Sequence, residues 1–286
     1  MKLVRYADKG GNSLGVVKDG GIIELRKHWP ALRDDMIALI EMWPDIASTL
    51  RSLAADSAPD TTLADVRLLA PVGRPGKILA IGLNYADHIK ETGQQTPPHQ
   101  IWFTKAVSSI NAPFDSVELP MASEQVDYEA ELVVIIGKRC KHVAKEHAPE
   151  VIFGYCAGND VSVRDWQLRT SQWVLGKSFD THAPIGPWIV TPDEIGDPHA
   201  LGIRCFVNGE QRQSSNTRHL IFNVFDQIAH LSSAMTLEPG DVIFTGTPGG
   251  VGLAMNPPHW LKAGDKVRVE IDRIGAIEAT MRPEAF

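Results

Sequence analysis

From Val66 onward, glycine and proline cut the chain into short apolar runs, and this rhythm limits the folds open to it. The runs are Lys77–Ile81, Glu131–Ile136, Ile152–Ala157, Trp188–Val190, Ile203–Val207, Asp241–Thr245 and Lys266–Ile271. Each is of strand length and rich in Val and Ile. Only Tyr85–Thr92, Val163–Gln172 and Ile221–Ala234 read as helix in this stretch. That is too little helix for a regular βαβ array. The pattern predicts a strand-rich α+β fold: a sandwich, barrel or roll. No internal repeat and no low-complexity tract interrupts it.

The first 70 residues have a different texture and read as a small α+β unit. Met1–Tyr6 and Ser13–Val17 are strand-like, separated by Lys9-Gly10-Gly11-Asn12, and Gly20-Gly21 turns the chain into Ile22–Leu25. A helical stretch follows from Ala31 to Ala55, interrupted by Pro44, and Ser57–Thr62 is a polar linker. The expected division is a small domain at 1–70 and a larger strand-rich domain at 71–286, compatible with about 100–200 residues per domain.

Composition removes several function classes. Hydrophobic residues at 43% and charged residues at 22% argue against disorder. Net charge is −7 and no Lys/Arg stripe forms, so neither a nucleic-acid partner nor a membrane partner is expected. Cys140, Cys156 and Cys205 are scattered and make no C-x-x-C pattern. A reduced, cytoplasmic protein is the expectation. The opening residues are polar, unlike a signal peptide. The longest apolar run, Leu132–Gly137, is too short to span a bilayer.

Three constellations carry chemistry. Asp127, Glu129 and Glu131 lead into Leu132–Ile136, and on a strand all three project from one face. Like charges there repel and resist burial. Asp160 ends a second apolar run. An all-oxygen set of this kind suits a hard divalent ion; a solvated acidic edge fits the spacing equally well. Next, Asn84 is a plausible N-cap with Asp87 three residues on, and His88 and Glu91 then share a helix face. The pair is either an exposed ion pair or a base with its orienting carboxylate. Finally, the glycines of Thr245–Gly252 can turn N–H groups toward an anion, or merely make a tight turn.

Other signals are weaker. Gly176-Lys177-Ser178 mimics the end of a P-loop, but the required upstream glycine is Ser171. Lys177 is better read as a single cation near the acidic residues. Arg164 and Gln167, just after Asp160, would share a helix face beside them, and Lys105 is another candidate cation. Asp226 and His230 read as a helix-surface pair.

Taken together, the motifs resemble the fumarylacetoacetate hydrolase family. In order they are Gly-Leu-Asn-Tyr-Ala-Asp-His, Phe-Thr-Lys, Asp-Tyr-Glu-Ala-Glu-Leu, Gly-Asn-Asp-Val-Ser-Val-Arg-Asp-Trp-Gln, Gly-Lys-Ser-Phe-Asp and Phe-Thr-Gly-Thr-Pro-Gly-Gly-Val-Gly, between about Lys77 and Ile271. The resemblance implies a mixed β-sandwich roll, a homodimer, and Glu129, Glu131 and Asp160 as ligands of Mg²⁺ or Mn²⁺, with Ca²⁺ a poorer fit. Asp127 is not a usual ligand. His88 and Glu91 would activate water from a lid. Lys177, Arg164, Gln167 and Thr247 would line the pocket, with Lys105 also contacting substrate and Tyr85 at the lid base. Many relatives carry Lys-Pro where this chain has Lys105-Ala106. The loop Gln94–Gln100, with Pro97-Pro98, would help set substrate choice.

The activity so implied is hydrolysis of the C3–C4 bond of a 2,4-diketo acid to pyruvate and a carboxylic acid. The first-choice substrate is 2,4-diketo-3-deoxy-L-rhamnonate or L-fuconate, giving L-lactate. Fumarylpyruvate hydrolysis, oxaloacetate decarboxylation and dienoate isomerisation are the rivals.

Overall fold

The computed structural model describes residues 1–93 and 95–285; Gln94, at the start of the loop expected to influence substrate choice, lies outside them. Two sheets dominate. The larger runs, edge to edge, through Thr61–Thr62, Gly21–Glu24, Gly11–Lys18, Lys2–Asp8, Ala183–Val190, Ile152–Asn159, Ala130–Ile136, Val242–Phe244, Ile78–Gly82 and Ile101–Thr104. It is mixed, since Val242–Phe244 pairs parallel with Ile78–Gly82. The smaller sheet orders Glu210–Asn216, Gly202–Val207, Lys266–Ile271, Gly275–Pro283 and Val117–Leu119. The predicted strand-rich α+β architecture is what forms.

The central strand Ala130–Ile136 is buried along its whole length, and its alternation shows why. Leu132, Val134 and Ile136 join a core with Ile203, Val269 and Ile277 of the smaller sheet. Val133 and Ile135 join a second core with Leu39, Ile40 and Leu50 of the N-terminal helix. Covered on both faces, the strand reads as a continuous apolar run.

The N-terminal strands extend the large sheet, with Leu3 pairing Ile189. The helix predicted from Ala31 begins only at Met36 and runs to Asp56, capped by Asp35, which accepts from the N–H groups of Ile37 and Ala38. It continues through Pro44 rather than breaking there. A mid-helix proline costs roughly 3 kcal/mol. Burial of Met36, Leu39, Ile40, Ile46 and Leu50, at roughly 1.5–3 kcal/mol each, outweighs it.

Two further helices are shorter than expected. Arg164–Gln167 is a single turn, after which the chain bends back toward Lys177. Val224–Ala234 begins at a capping box between Asn223 and Asp226. Asp226 therefore faces its own helix start, and it also pairs with Lys145 at 2.7 Å, not with His230. The three cysteines are free. Among the described residues, no helix is long and apolar enough to cross a membrane.

Candidate active site

Antiparallel pairing assembles the acidic site. Ala130 pairs with Asn159 and Glu131 with Gly158, which sets Asp160 beside Glu129. The Asp160 N–H donates to the Glu129 carbonyl at 2.9 Å, and the Glu129 N–H donates to the Asn159 side chain at 2.9 Å. Glu129, Glu131 and Asp160 each offer a carboxylate oxygen within 4.8 Å of the others, and all three are buried.

Their charge is partly balanced. Lys177 Nζ donates to Glu129 Oε2 at 2.7 Å and to Asp160 Oδ2 at 2.8 Å. Lys105 Nζ donates to Asp160 Oδ1 at 2.6 Å. Arg164 pairs with Glu129 Oε1 at 2.7 Å and, through Nε, with Asp127 Oδ2 at 2.8 Å. Burial alone would raise the Glu129 pKa, but Lys177 and Arg164 override it and bring it down to about 2. Glu131 has no ion-pair partner among the described residues; its Oε2 accepts from the Gly246 N–H at 2.6 Å. Burial, then Asp160 and Glu129, hold its carboxyl well above the ordinary range. Four buried carboxylates thus face three buried cations. A further cation fits that imbalance, and the all-oxygen donors suit a hard divalent ion such as Mg²⁺ or Mn²⁺.

A His–Glu pair stands beside this cluster on the helix Ala86–Thr92. His88 Nδ1 lies 2.9 Å from Glu91 Oε1, and the other Glu91 oxygen accepts from the Gly250 N–H at 2.8 Å. The glycine loop also donates from Gly252 and Leu253 to Asp127 at 2.8 and 3.0 Å. The anions it cradles are the protein's own: Glu131, Glu91 and Asp127. A small cavity of about 70 Å³ opens between these groups, lined by His88, Glu129, Glu131, Arg164, Gln167, Lys177 and Thr247, with Ile81, Phe103, Trp173 and Leu253 as its apolar wall.

Residues 77–282 match the model of the fumarylacetoacetate (FAA) hydrolase C-terminal domain. The chain belongs to the fumarylacetoacetate hydrolase family. Residues 1–71 match an Rv2993c-like N-terminal domain. The chain is similar to the rat (Rattus norvegicus) mitochondrial oxaloacetate tautomerase Fahd2a, at 46% identity over 90% of this chain and 83% of the relative. It is also similar to maleylpyruvate hydrolase from Sphingobium sp. SYK-6, solved with manganese(II) and pyruvate, at 35% identity, full coverage of both chains and a TM-score of 0.83. A 5-carboxymethyl-2-hydroxymuconate delta-isomerase from Mycobacterium smegmatis shares 33% identity over the full length of both, with a TM-score of 0.79. Hydrolases, isomerases and tautomerases of this family therefore share the fold, and the chain is an enzyme of that group.

Set within this family's fold, the residues singled out from sequence separate into groups. His88, Glu129, Glu131, Arg164, Gln167, Lys177 and Thr247 meet at the cavity. Glu91 supports His88. Asp160 and Lys105 lie behind the wall, and Lys105, fully enclosed, contacts Asp160 and the Val161 carbonyl rather than the cavity. Tyr85 does not reach the cavity; its ring is buried in the sheet-to-sheet core. Asn84 does not cap the helix, whose cap position is Tyr85. Its amide donates to the Phe222 and Thr245 carbonyls at 2.9 and 2.8 Å and accepts from the Phe222 N–H.

Asp127, placed on the acidic face by the sequence but not as a ligand, turns out to be a supporting residue, and two further supporting residues escaped the sequence reading. Asp127 anchors Arg164. Gln213 donates to Thr247 Oγ1 and the Pro248 carbonyl, both at 2.8 Å, while accepting from the Ala130 N–H. Ser215 donates to Asp87 Oδ2 at 2.8 Å. Asp127 had a signal in its spacing. The other two had none, because their partners are remote in sequence.

Proposed function

We propose that the chain interconverts the enol and keto forms of a compact 2-oxo dicarboxylic acid, with oxaloacetate the best-fitting substrate. The observation that carries this reading is the His88–Glu91 pair at a cavity lined by both carboxylates and cations. The reaction asks for one proton to leave the enol hydroxyl and one to arrive at C3. Glu91 holds His88 Nδ1, so proton transfer is assigned to Nε2. Lys177 and Arg164 face the developing negative charge, and Gln167 and Thr247 orient the substrate carboxylates. A divalent cation held by Glu129, Glu131 and Asp160 would polarise the 2-oxo group as a Lewis acid. The resemblance to the rat tautomerase supports the same choice.

Hydrolysis of an acylpyruvate is the second reading, favoured by the likeness to the manganese- and pyruvate-bound maleylpyruvate hydrolase. There His88 would instead activate water for attack at C4. The six-carbon deoxy sugar acids have no counterpart among the relatives described above.

The test follows enol absorbance, pyruvate and CO₂ in parallel, with Mg²⁺, Mn²⁺ or chelator. Its substrates are oxaloacetate, maleylpyruvate, fumarylpyruvate and 2,4-diketo-3-deoxy-L-rhamnonate. Metal-dependent loss of the oxaloacetate enol without pyruvate or CO₂ is the expected result. Pyruvate release from an acylpyruvate or the sugar acid would replace tautomerisation with hydrolysis. Catalysed CO₂ release would make the protein a decarboxylase.

A further inference from the structure

One part of the cavity wall takes no part in the chemistry above. Trp173 lies in the irregular return between Leu168 and Lys177, yet its indole is held firmly. A β-carbon added at Gly82 would lie 2.3 Å from its Cζ3 and 2.9 Å from its Cη2. The ring therefore rests directly on the backbone at the end of strand Ile78–Gly82, an approach that glycine permits. It also meets Phe103, with ring centroids 5.5 Å apart at 59°. Phe103 in turn lies under the Lys177 ammonium, 4.9 Å from its centroid. The Lys177 N–H donates to the Trp173 carbonyl at 3.2 Å, closing the return on itself. The indole is thus wedged between two strands and tied to a cation of the site.

We propose that Trp173 is the specificity-determining residue of this site and that it sets substrate length. The inference rests on the reading that the cavity takes 2-oxo acids. Held between Gly82 and Phe103, the ring fills the space into which a substrate chain beyond four carbons would extend. A longer chain running along that wall would have to displace the indole.

The test measures binding rather than turnover. Titration calorimetry of the Mg²⁺-loaded wild-type protein, Trp173→Ala and Trp173→Leu would use pyruvate, 2-oxoglutarate and 2-oxoadipate as probes. One methylene in a fitted pocket is worth about 10- to 200-fold. Trp173→Ala is therefore expected to improve the affinity for 2-oxoadipate relative to pyruvate by at least tenfold, leaving pyruvate within threefold of wild type. Trp173→Leu should fall between. Gly82→Ala, whose β-carbon would collide with the indole and displace it, should change the affinity for 2-oxoglutarate more than that for pyruvate. These two variants carry the test if the alanine protein does not fold. Unchanged affinity ratios in variants that still bind pyruvate would overturn the inference while leaving the 2-oxo acid reading intact. Failure of the wild type to bind any of the three probes would overturn both.

Discussion

Glu129 and Glu131 differ by two positions and one backbone hydrogen bond, yet their surroundings make them opposites. Glu129 is ionised between Lys177 and Arg164, while Glu131 has carboxylates on two sides and an amide on the third. Removing one member of a buried ion pair costs about 3–5 kcal/mol. Glu129→Gln should therefore lower the unfolding free energy of the metal-free protein by that order. Glu131→Gln should leave it unchanged or raise it, because a neutral amide suits the site better than a carboxylate short of cations. Both should weaken Mn²⁺ binding at least 100-fold by calorimetry. Equal destabilisation by the two would refute this account of the charges.

His182 supplies a pH test away from the cavity. It is fully buried, its Nε2 lies 2.7 Å from the Glu118 carbonyl, and Nδ1 has no partner among the described residues. That pattern is a neutral ring donating from Nε2. Burial is the main cause holding its pKa down to about 3, against 6.5 for a free histidine. The unfolded chain therefore takes up a proton near pH 6.5 that the folded chain refuses. The contribution is complete above that pH and is lost as pH falls toward 3, at about 1.4 kcal/mol per unit. Urea unfolding at pH 7.5, 6 and 5 should show wild type losing stability more steeply than His182→Gln. Parallel slopes would mean that the ring is protonated in the fold.

At the scale of elements, the strand Glu210–Asn216 emerges as the platform on which the site closes. Gln213 fixes the glycine loop from below, and Ser215 holds the helix carrying His88 through Asp87. Asp87 Oδ1 accepts from the His88 N–H at 2.9 Å, so the tether runs directly to the base. Ser215→Ala should lower kcat three- to tenfold with little change in KM. It should also speed proteolytic nicking around residues 86–93, and Ser215→Thr should restore both. A fall in activity without faster nicking would rule out the tether.

The same platform marks the limit of what the sequence discloses. Strand positions were legible because Val and Ile runs between glycines have few alternatives, and the metal-site candidates were legible because carboxylates abutting such runs need an explanation. Asn84 looked like a local cap, but its amide serves carbonyls 138 and 161 residues away. Ser215 and Asp87 are 128 residues apart. Helix lengths erred for a related reason. The turn at Arg164–Gln167 stops where Gly176 must pass within contact of the Gln167 backbone, a tertiary demand that local propensity does not carry.

For the whole molecule, the outstanding question is what the rim of the cavity meets. Leu168, which lines the cavity, is 61% exposed, and Leu175 beside it is 63% exposed. Large apolar side chains gathered at one mouth are costly to leave in water, each worth about 1.5–3 kcal/mol on full burial. We propose that a second copy of the chain covers them, giving the homodimer anticipated from the sequence. Light scattering on an eluting column should then report twice the chain mass of 31.3 kDa. The double variant Leu168→Glu, Leu175→Glu should elute as a monomer with its secondary structure intact by circular dichroism. It should also bind substrate more weakly, since the rim would be open to water on the side where Leu168 reaches the cavity. A double variant that remains dimeric would place the interface elsewhere, and a monomeric wild type would remove the dimer altogether.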